Sequence, residues 1–246
     1  MSFEWHEVLV AGAMVAAAYF AFGVSGFGSG LVAIPVLTHL WPVQFVLPVM
    51  VLLDFAASAA LGWRERASTS WRELALLTPT TFVGLVLGVT LLVWMPAKLT
   101  LALLGVAVTG FGVLSLRPHR PQRRIHVAWV LPAGLVSGIA SGLFGVGGAP
   151  AVIYLSGRLA DKAVLRATLA VLLLVSVSVR IVLFAIAGLL AARELWTAAA
   201  LLPFVAAGLA LGSRVHLRLS RAQFARFVAV LVIAAGVSLV VRAAFL

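Results

Sequence analysis

Two ionisable residues lie inside long apolar runs of this sequence, where a charge is costly. Arg180 lies within the apolar run 167–191, and Asp54 lies within the run 43–63. A charged side chain inside a membrane usually faces a cavity or a partner and by default indicates function. A planar guanidinium suits two oxygens of an oxyanion, so Arg180 is a candidate anion ligand. The competing interpretation is a structural ion pair between Arg180 and Asp54.

Hydroxyl side chains lie near both charges at helical spacing. Ser176 precedes Arg180 by four residues, and Ser58 follows Asp54 by four, so each serine would share a helix face with its charge. Each hydroxyl is either a further anion ligand or a donor to its own helix carbonyl, as serine in membrane helices often is.

Two glycine-rich stretches interrupt apolar runs of membrane length. They are Gly23-Val-Ser-Gly-Phe-Gly-Ser-Gly30 and Ser141-Gly-Leu-Phe-Gly-Val-Gly-Gly148. Irregular backbone survives in hydrocarbon only where it is buried or lines a cavity, and a helix that begins after such a break directs free N–H groups towards an anion. Paired broken helices are typical of a transporter site near the bilayer midplane. The alternative is that the glycines only allow helices to pack closely.

We therefore predict an anion site built from the two breaks and Arg180, with Asp54 as an ion-pair or coupling residue. The predicted substrate-binding residues are Ser25, Gly26, Gly28, Ser29, Gly30, Ser141, Gly145, Gly147, Gly148, Ser176 and Arg180. We predict no catalytic residue, cofactor or metal. The chain has no cysteine, and a single carboxylate within the apolar runs is too few for a hard cation.

The composition is that of a polytopic membrane protein. The 246 residues are 63% hydrophobic and 10% charged, with a mean hydropathy of +1.17. The formal charge is +11, but the basic residues lie in short loops between apolar runs, where orientation signals belong. Membrane lipids are therefore the expected partners of this charge, and nucleic acid is not.

The elements that position the candidate site repeat along the chain. Gly28 aligns with Gly147 at an offset of 119, and Gly84 aligns with Gly208 at an offset of 124. The pairs Gly84-xxx-Gly88 and Gly208-xxx-Gly212 predict helix-packing faces without a substrate role.

The predicted fold is an all-α polytopic membrane protein with two homologous four-helix repeats, each beginning with a glycine-broken or re-entrant helix. The repeats are residues 1–116 and 127–246, and residues 117–126 form a basic cytoplasmic linker. The apolar runs predict broken segments at 8–40 and 127–156, a basic loop from there to Arg166, and full spans at 43–63, 74–94, 99–116, 167–191, 195–215 and 224–245.

Loop charge predicts the orientation of the two halves. The linker Arg117–Arg124 and the stretch Arg214–Arg226 each carry four arginines, whereas the turns 40–44 and 95–98 carry only Lys98. The basic stretches are expected in the cytoplasm. If each broken segment returns to the side from which it entered, the two halves are inverted. The alternative is a bundle of eight full spans in parallel repeats.

The glycine motifs Gly26-Phe-Gly-Ser-Gly30 with Pro35 and Gly145-Val-Gly-Gly-Ala-Pro150, the step Arg166-Ala-Thr168 and the later Gly208-xxx-Gly212 resemble the TauE/SafE sulfite exporter family. The resemblance covers nearly the whole chain. It implies a multi-pass permease of the bacterial cell (inner) membrane, with about eight helices in two repeats, that handles sulfite, sulfoacetate or other organosulfur anions. Ser29 and Ala149 depart from the glycine motifs, which leaves the substrate open.

The predicted function is a secondary transporter that exports small sulfur-containing anions by alternating access around a midplane site. An inside-negative potential drives an anion outward by about 2.3 kcal/mol per charge per 100 mV, and no phosphate-binding GxxxxGK[ST] motif is present. The alternatives are a carrier of another small organic anion and an intramembrane serine hydrolase that uses the glycine-flanked Ser25. A hydrolase needs a base within reach of the serine, and no histidine lies in a predicted span core. Proton or sodium coupling and homo-oligomerisation are left open.

Overall fold

A computed structural model describes residues 5–25, 28–116, 125–214 and 221–245 of the chain, and these residues form a helical bundle. Six of the described helices are long and apolar enough to cross a membrane. Helices suit such apolar runs because they satisfy every backbone hydrogen bond within the segment. The predicted all-α polytopic class is confirmed.

Among the described residues, each half contributes five α-helices, because each predicted broken segment is a pair of helices. The first half holds α1 (Trp5–Ser25), α2 (Ser29–Leu37), α3 (Val43–Glu65), α4 (Trp71–Trp94) and α5 (Ala97–Leu116). The second half holds α6 (Val130–Phe144), α7 (Gly148–Ser156), α8 (Lys162–Ile186), α9 (Ala192–Arg214) and α10 (Arg221–Phe245). Short 3₁₀ turns at Arg66–Ser68 and Val127–Trp129 precede α4 and α6.

Both predicted helix breaks are confirmed. Gly28 lies between α1 and α2 at a φ of 96°, and Gly145 lies between α6 and α7 at a φ of 72°. Glycine adopts this left-handed backbone without the steric cost that a Cβ brings. The helices that follow, α2 and α7, have nine residues each, which is about half of a membrane crossing.

The predicted basic loop from 157 to Arg166 is too long. Helix α8 begins at Lys162, because the Asp161 side chain accepts a hydrogen bond of 2.7 Å from the Ala163 N–H and caps the first turn. An N-cap aspartate satisfies an otherwise unpaired helix amide in this way. Arg166 is therefore helical. Residues 117–124 of the predicted linker lie outside the described residues.

The glycine pairs of α4 and α9 pack closely against other helices, as predicted, and each of those helices belongs to the other half of the chain. Gly84 of α4 lies against Gly138 of α6, and Gly88 lies against Gly142. Because both positions advance together, α4 and α6 run parallel. Small residues allow two backbones to approach closely in a membrane.

The same arrangement recurs with the halves exchanged. Gly208 of α9 lies against Ala16 of α1, and Gly212 lies against Phe20. Helices α1 and α9 are therefore also parallel. The first helix of each half packs against a helix of the other half. Neither half therefore packs as an independent unit.

Helices α3 and α8, which correspond to each other in the predicted repeats, run antiparallel. Gly62 near the end of α3 lies against Ala170 in the first part of α8. Earlier in α3, Asp54 faces Arg180, which comes later in α8. Helices α5 and α10 are also antiparallel.

Glycine contacts fix the direction of α5 against α10. Gly105 of α5 lies against Gly236 of α10, and the later Gly112 lies against the earlier Ala229. Two pairs of equivalent helices, α3 with α8 and α5 with α10, therefore meet head to tail.

The first broken segment begins and ends at one end of the bundle, which we call end A, the end at which α3 begins. Arg193 at the start of α9 lies over the Phe45 ring at the start of α3, 4.6 Å from its centre. Since α1 is parallel to α9, α1 also begins at end A. Helix α2 ends there too, because the short turn after Leu37 leads directly into α3.

The second broken segment begins and ends at the opposite end B, at which α3 ends and α4 begins. Ile125, just before α6, donates its backbone N–H to the carbonyl of Gly157, just after α7, at 3.1 Å. Arg158 then bonds to Glu73 in the first turn of α4. The two breaks therefore meet in the middle of the bundle from opposite ends.

Candidate functional site

A cavity of about 30 Å³ lies where the tips of the two broken segments meet α3 and α8. A volume of this size holds about two waters. The described residues that line it are Phe22, Gly28, Ser29, Gly30, Leu31, Asp54, Ser58, Ser141, Gly145, Val146, Gly147, Gly148, Leu173, Val177 and Arg180. The cavity thus has a polar side formed by two glycine breaks and two charges, and an apolar side.

Arg180 is the cation of this cavity and is only 1% exposed. Its Nη1 donates to the backbone carbonyl of Ser141 at 2.8 Å. Its Nε and Nη2 have no hydrogen-bond partner among the described residues. A buried charged donor left without a partner costs about 1–3 kcal/mol or more. Two N–H-bearing atoms of the guanidinium are therefore available to an anion.

Asp54 is the acid of the cavity, and its two oxygens have different partners. Oδ1 accepts hydrogen bonds of 2.7 Å from the Tyr19 hydroxyl and of 2.7 Å from the Ser29 hydroxyl. Oδ2 lies 3.7 Å from Arg180 Nη2, which is longer than a hydrogen bond. The two charges attract each other without closing into a hydrogen-bonded pair.

The tips of the two broken segments touch at Gly30 and Gly145. A Cβ at position 30 would lie 2.6 Å from the Gly145 carbonyl oxygen, and a Cβ at position 145 would lie 3.2 Å from Arg180 Nη1. Only glycine leaves room for this approach. Because α2 and α7 both begin at the cavity, residues of their first turns line it, and the positive dipole ends of the two helices favour an anion there.

The structure brings most of the predicted site residues together and leaves some apart. Gly28, Ser29, Gly30, Ser141, Gly145, Gly147, Gly148 and Arg180 line the cavity with Asp54 and Ser58. Ser176 is buried on α8 but is not among the described residues that line the cavity. Gly26 and the side chain of Ser25 lie outside the described part of the chain.

Sequence reasoning missed Tyr19, which is fully buried and bonds directly to Asp54. The chain has two tyrosines, and each donates its hydroxyl to a buried carboxylate, Tyr154 to Glu73 at 3.1 Å. A phenol in a long apolar run needs such a partner. A tyrosine at this place in the sequence therefore indicates a buried hydrogen-bond acceptor nearby. Ser137, whose hydroxyl donates to the Gly147 carbonyl, carried no distinctive signal.

A second polar cluster lies at end B. Arg158 donates to Glu73 Oε1 through Nε at 3.0 Å and through Nη2 at 2.7 Å, and its Nη1 donates to the Ile125 carbonyl at 3.3 Å. The hydrogen bond to Glu73 raises the pKa of Arg158. This cluster fastens the second broken segment to α4.

At end A, the first broken segment is fastened to α10 instead. The His39 ring lies 2.9 Å from the Ser238 hydroxyl, and Arg242 donates to the Thr38 carbonyl. Burial, and then the charge of Arg242, lower the pKa of His39. Among the residues that the structure describes, no three His, Asp or Glu side chains come together as a metal site.

Known proteins resemble this chain over most of its length. The family model described as "Sulfite exporter TauE/SafE" matches residues 10–239. The "Probable inner membrane transporter protein TsaS" of Comamonas testosteroni is 31% identical over 195 residues, which cover 78% of this chain and 81% of that protein. The "Probable sulfite/organosulfonate exporter TauE" of Cupriavidus necator is 30% identical over 226 residues, or 89% of this chain and 88% of that protein. No solved structure matches the chain significantly.

Proposed function

Because the chain belongs to the TauE/SafE sulfite exporter family, we propose that it exports small sulfur-containing anions such as sulfite or organosulfonates. It is a multi-pass membrane transporter of the bacterial inner membrane. The proposed mechanism is alternating access around the cavity at Arg180, without a cofactor. The small cavity suits sulfite better than a longer organosulfonate, for which the tips of the broken segments would have to separate.

The arrangement around Arg180 supports this proposal. A buried guanidinium lies at the point where α2 and α7 both begin, and two of its nitrogen donors have no hydrogen-bond partner within the described part of the chain. Guanidinium N–H groups bind oxyanions with good geometry, and helix N-termini add favourable partial charge. Asp54 balances the charge of Arg180 when no anion is bound. The site can thus hold an anion in the interior of the bundle and release it again.

The head-to-tail contacts support inverted repeats, with residues 1–116 and 127–246 as the two halves. In repeats related by an axis in the membrane plane, equivalent helices run in opposite directions. Helices α3 and α8 do so at Asp54 and Arg180, and α5 and α10 do so at Gly105 and Gly236. Inverted halves can exchange conformations and so open one shared site to each side in turn.

The distribution of charge supports a cytoplasmic position for end B. Among the described residues near the helix ends, Arg66, Arg72, Arg158, Arg166 and Arg214 lie at end B, whereas Lys98, Arg193 and Arg242 lie at end A. Basic residues accumulate on the cytoplasmic side of membrane proteins. The membrane potential then drives an anion from end B to end A, which is export.

Potential-driven efflux from proteoliposomes tests the proposal. Vesicles loaded with sulfite, sulfoacetate or zwitterionic taurine are compared for the native protein and Arg180→Gln. Loss of one charged anion ligand is expected to lower sulfite efflux by about 10²-fold or more, with taurine efflux low throughout. Arg72→Gln is the matched control, because Arg72 is exposed at end B.

The control variant should transport sulfite at the native rate. Full efflux by a folded Arg180→Gln protein would contradict the proposed site. Failure of the native protein to carry any of the sulfur anions, under a potential that drives a known anion carrier, would contradict the proposed function.

A further inference from the structure

We propose that Tyr19 is a positioning residue that holds Asp54 back from Arg180 and so keeps the guanidinium free for the transported anion. The inference rests on the proposed function, because it concerns how tightly the same site binds its anion. It assigns a role in affinity to a residue whose hydroxyl bonds to Asp54 and not to Arg180.

The geometry of Asp54 is that of a tethered carboxylate. Tyr19 and Ser29 both donate to Oδ1 at 2.7 Å, while Oδ2 stops 3.7 Å from Arg180 Nη2. An unhindered carboxylate and guanidinium close to about 2.7–2.9 Å and often bond through two atoms at once. The tether therefore keeps the pair about 1 Å short of a hydrogen-bonded contact.

The tether and the cation belong to different parts of the molecule. Tyr19 lies on α1 and Ser29 begins α2, so both arms of the first broken segment hold the acid. Arg180 is held by Ser141 near the end of α6, in the second broken segment. The distance between acid and base thus depends on how the two broken segments are placed relative to each other.

Competition explains why the tether matters for binding. Asp54 is itself an anion beside the N–H groups that the substrate needs. Without the phenol, Oδ1 keeps only the hydrogen bond from Ser29, and the carboxylate turns more readily towards Arg180 Nη2. The transported anion must then displace an internal competitor, which weakens its binding without changing the chemistry of the bound state.

The test measures KM and the maximal rate of sulfite efflux for Tyr19→Phe. The loss of one hydrogen bond to a charged group is expected to raise KM by about tenfold, while the maximal rate stays within about twofold. Tyr154→Phe is the matched control, because Tyr154 also donates to a buried carboxylate, that of Glu73, but at end B. Its KM should equal the native value.

A double-mutant cycle separates this role from a general loss of packing. In the Asp54→Asn background there is no carboxylate to hold back, so Tyr19→Phe should change KM by less than about twofold. A similar KM rise in both backgrounds would overturn the proposal, and so would an unchanged or lowered KM in Tyr19→Phe alone.

Failure of the positioning role of Tyr19 and failure of the proposed transport function give different results. If Tyr19→Phe does not fold, Ser29→Ala removes the other half of the same tether and must raise KM in the same way; an unchanged KM there overturns the proposal. If the native protein carries no sulfite, the proposed function itself fails. Native sulfite transport with an unaltered Tyr19→Phe refutes only the positioning role.

Discussion

At the scale of single residues, the proposed anion site depends on Arg180 and Asp54. Both were predictable, because a charge in a membrane-length apolar run stands out from its neighbours. The contact of Tyr19 with Asp54 was not predictable in the same way, since the two residues are 35 positions apart and meet only in the folded bundle. Which donors of Arg180 stay unbonded also depends on that packing, and no local pattern encodes it.

Gly30→Ala should disrupt the contact between the two tips. The new methyl group would meet the Gly145 carbonyl oxygen, 2.6 Å from its Cβ, and overpacking of this kind costs about 1–3 kcal/mol. We expect a lower melting temperature in detergent and loss of sulfite efflux.

Gly110→Ala is the control for that substitution. A Cβ at this position of α5 meets nothing within 4 Å, and alanine in a helix is favoured over glycine by about 0.5–1 kcal/mol. Its melting temperature should stay level or rise. An equal loss in both variants would show that the tips are not specifically crowded.

At the scale of elements, the two helix breaks were predictable because glycine content and hydropathy are local properties. The start of α8 was not, because one side chain, Asp161, caps the helix earlier than the charge pattern of the loop suggests. The fastening of each broken segment could not be predicted either. It depends on pairs far apart in sequence, such as Arg158 with Glu73 and His39 with Ser238.

Arg158→Met should loosen the second broken segment. The change leaves the buried Glu73 carboxylate with one hydroxyl partner, Tyr154, at a cost of about 1–3 kcal/mol. We expect a lower melting temperature in detergent. Arg66→Met is the control, since Arg66 lies over the exposed Trp63 ring, 4.0 Å from its centre, and such exposed contacts contribute little. Equal melting temperatures would contradict a fastening role.

The contact of His39 should make stability depend on pH. Its pKa in the folded protein is lowered from the usual 6.5 by burial and then by Arg242, so the unfolded chain binds the proton more readily. Stability is therefore full above about pH 6.5 and declines as the pH falls through that value. Melting curves between about pH 7.5 and pH 5 should show a smaller decline for His39→Gln than for the native protein. Parallel curves would argue against this contribution.

At the scale of the whole molecule, the glycine spacing predicts duplication, and loop charge predicts inversion of the two halves. The exchange of first helices between halves, α1 onto α9 and α6 onto α4, was not expected from the repeat itself. The exchange depends on the small residues of α4 and α9, which allow α6 and α1 to approach them closely. This exchange makes the two halves interdependent, so a movement of one half carries part of the other.

Inversion predicts that equivalent turns lie on opposite sides of the membrane. The chain has no cysteine, so single cysteines can be introduced without a background. In intact cells, a membrane-impermeant maleimide should label Leu40→Cys at end A and should label Ala160→Cys at end B only after permeabilisation. Labelling of both from the same side would contradict inverted repeats.

Anomalous scattering from bound selenite shows whether the cavity at Arg180 holds the transported anion. Selenite has the shape and charge of sulfite, and selenium can be located independently of the protein atoms. We expect a selenium peak within about 4 Å of the Arg180 guanidinium, at the first turns of α2 and α7, that disappears when sulfite is added in excess. Selenium bound only at surface arginines, in a protein that transports sulfite, would contradict binding of the transported anion at Arg180.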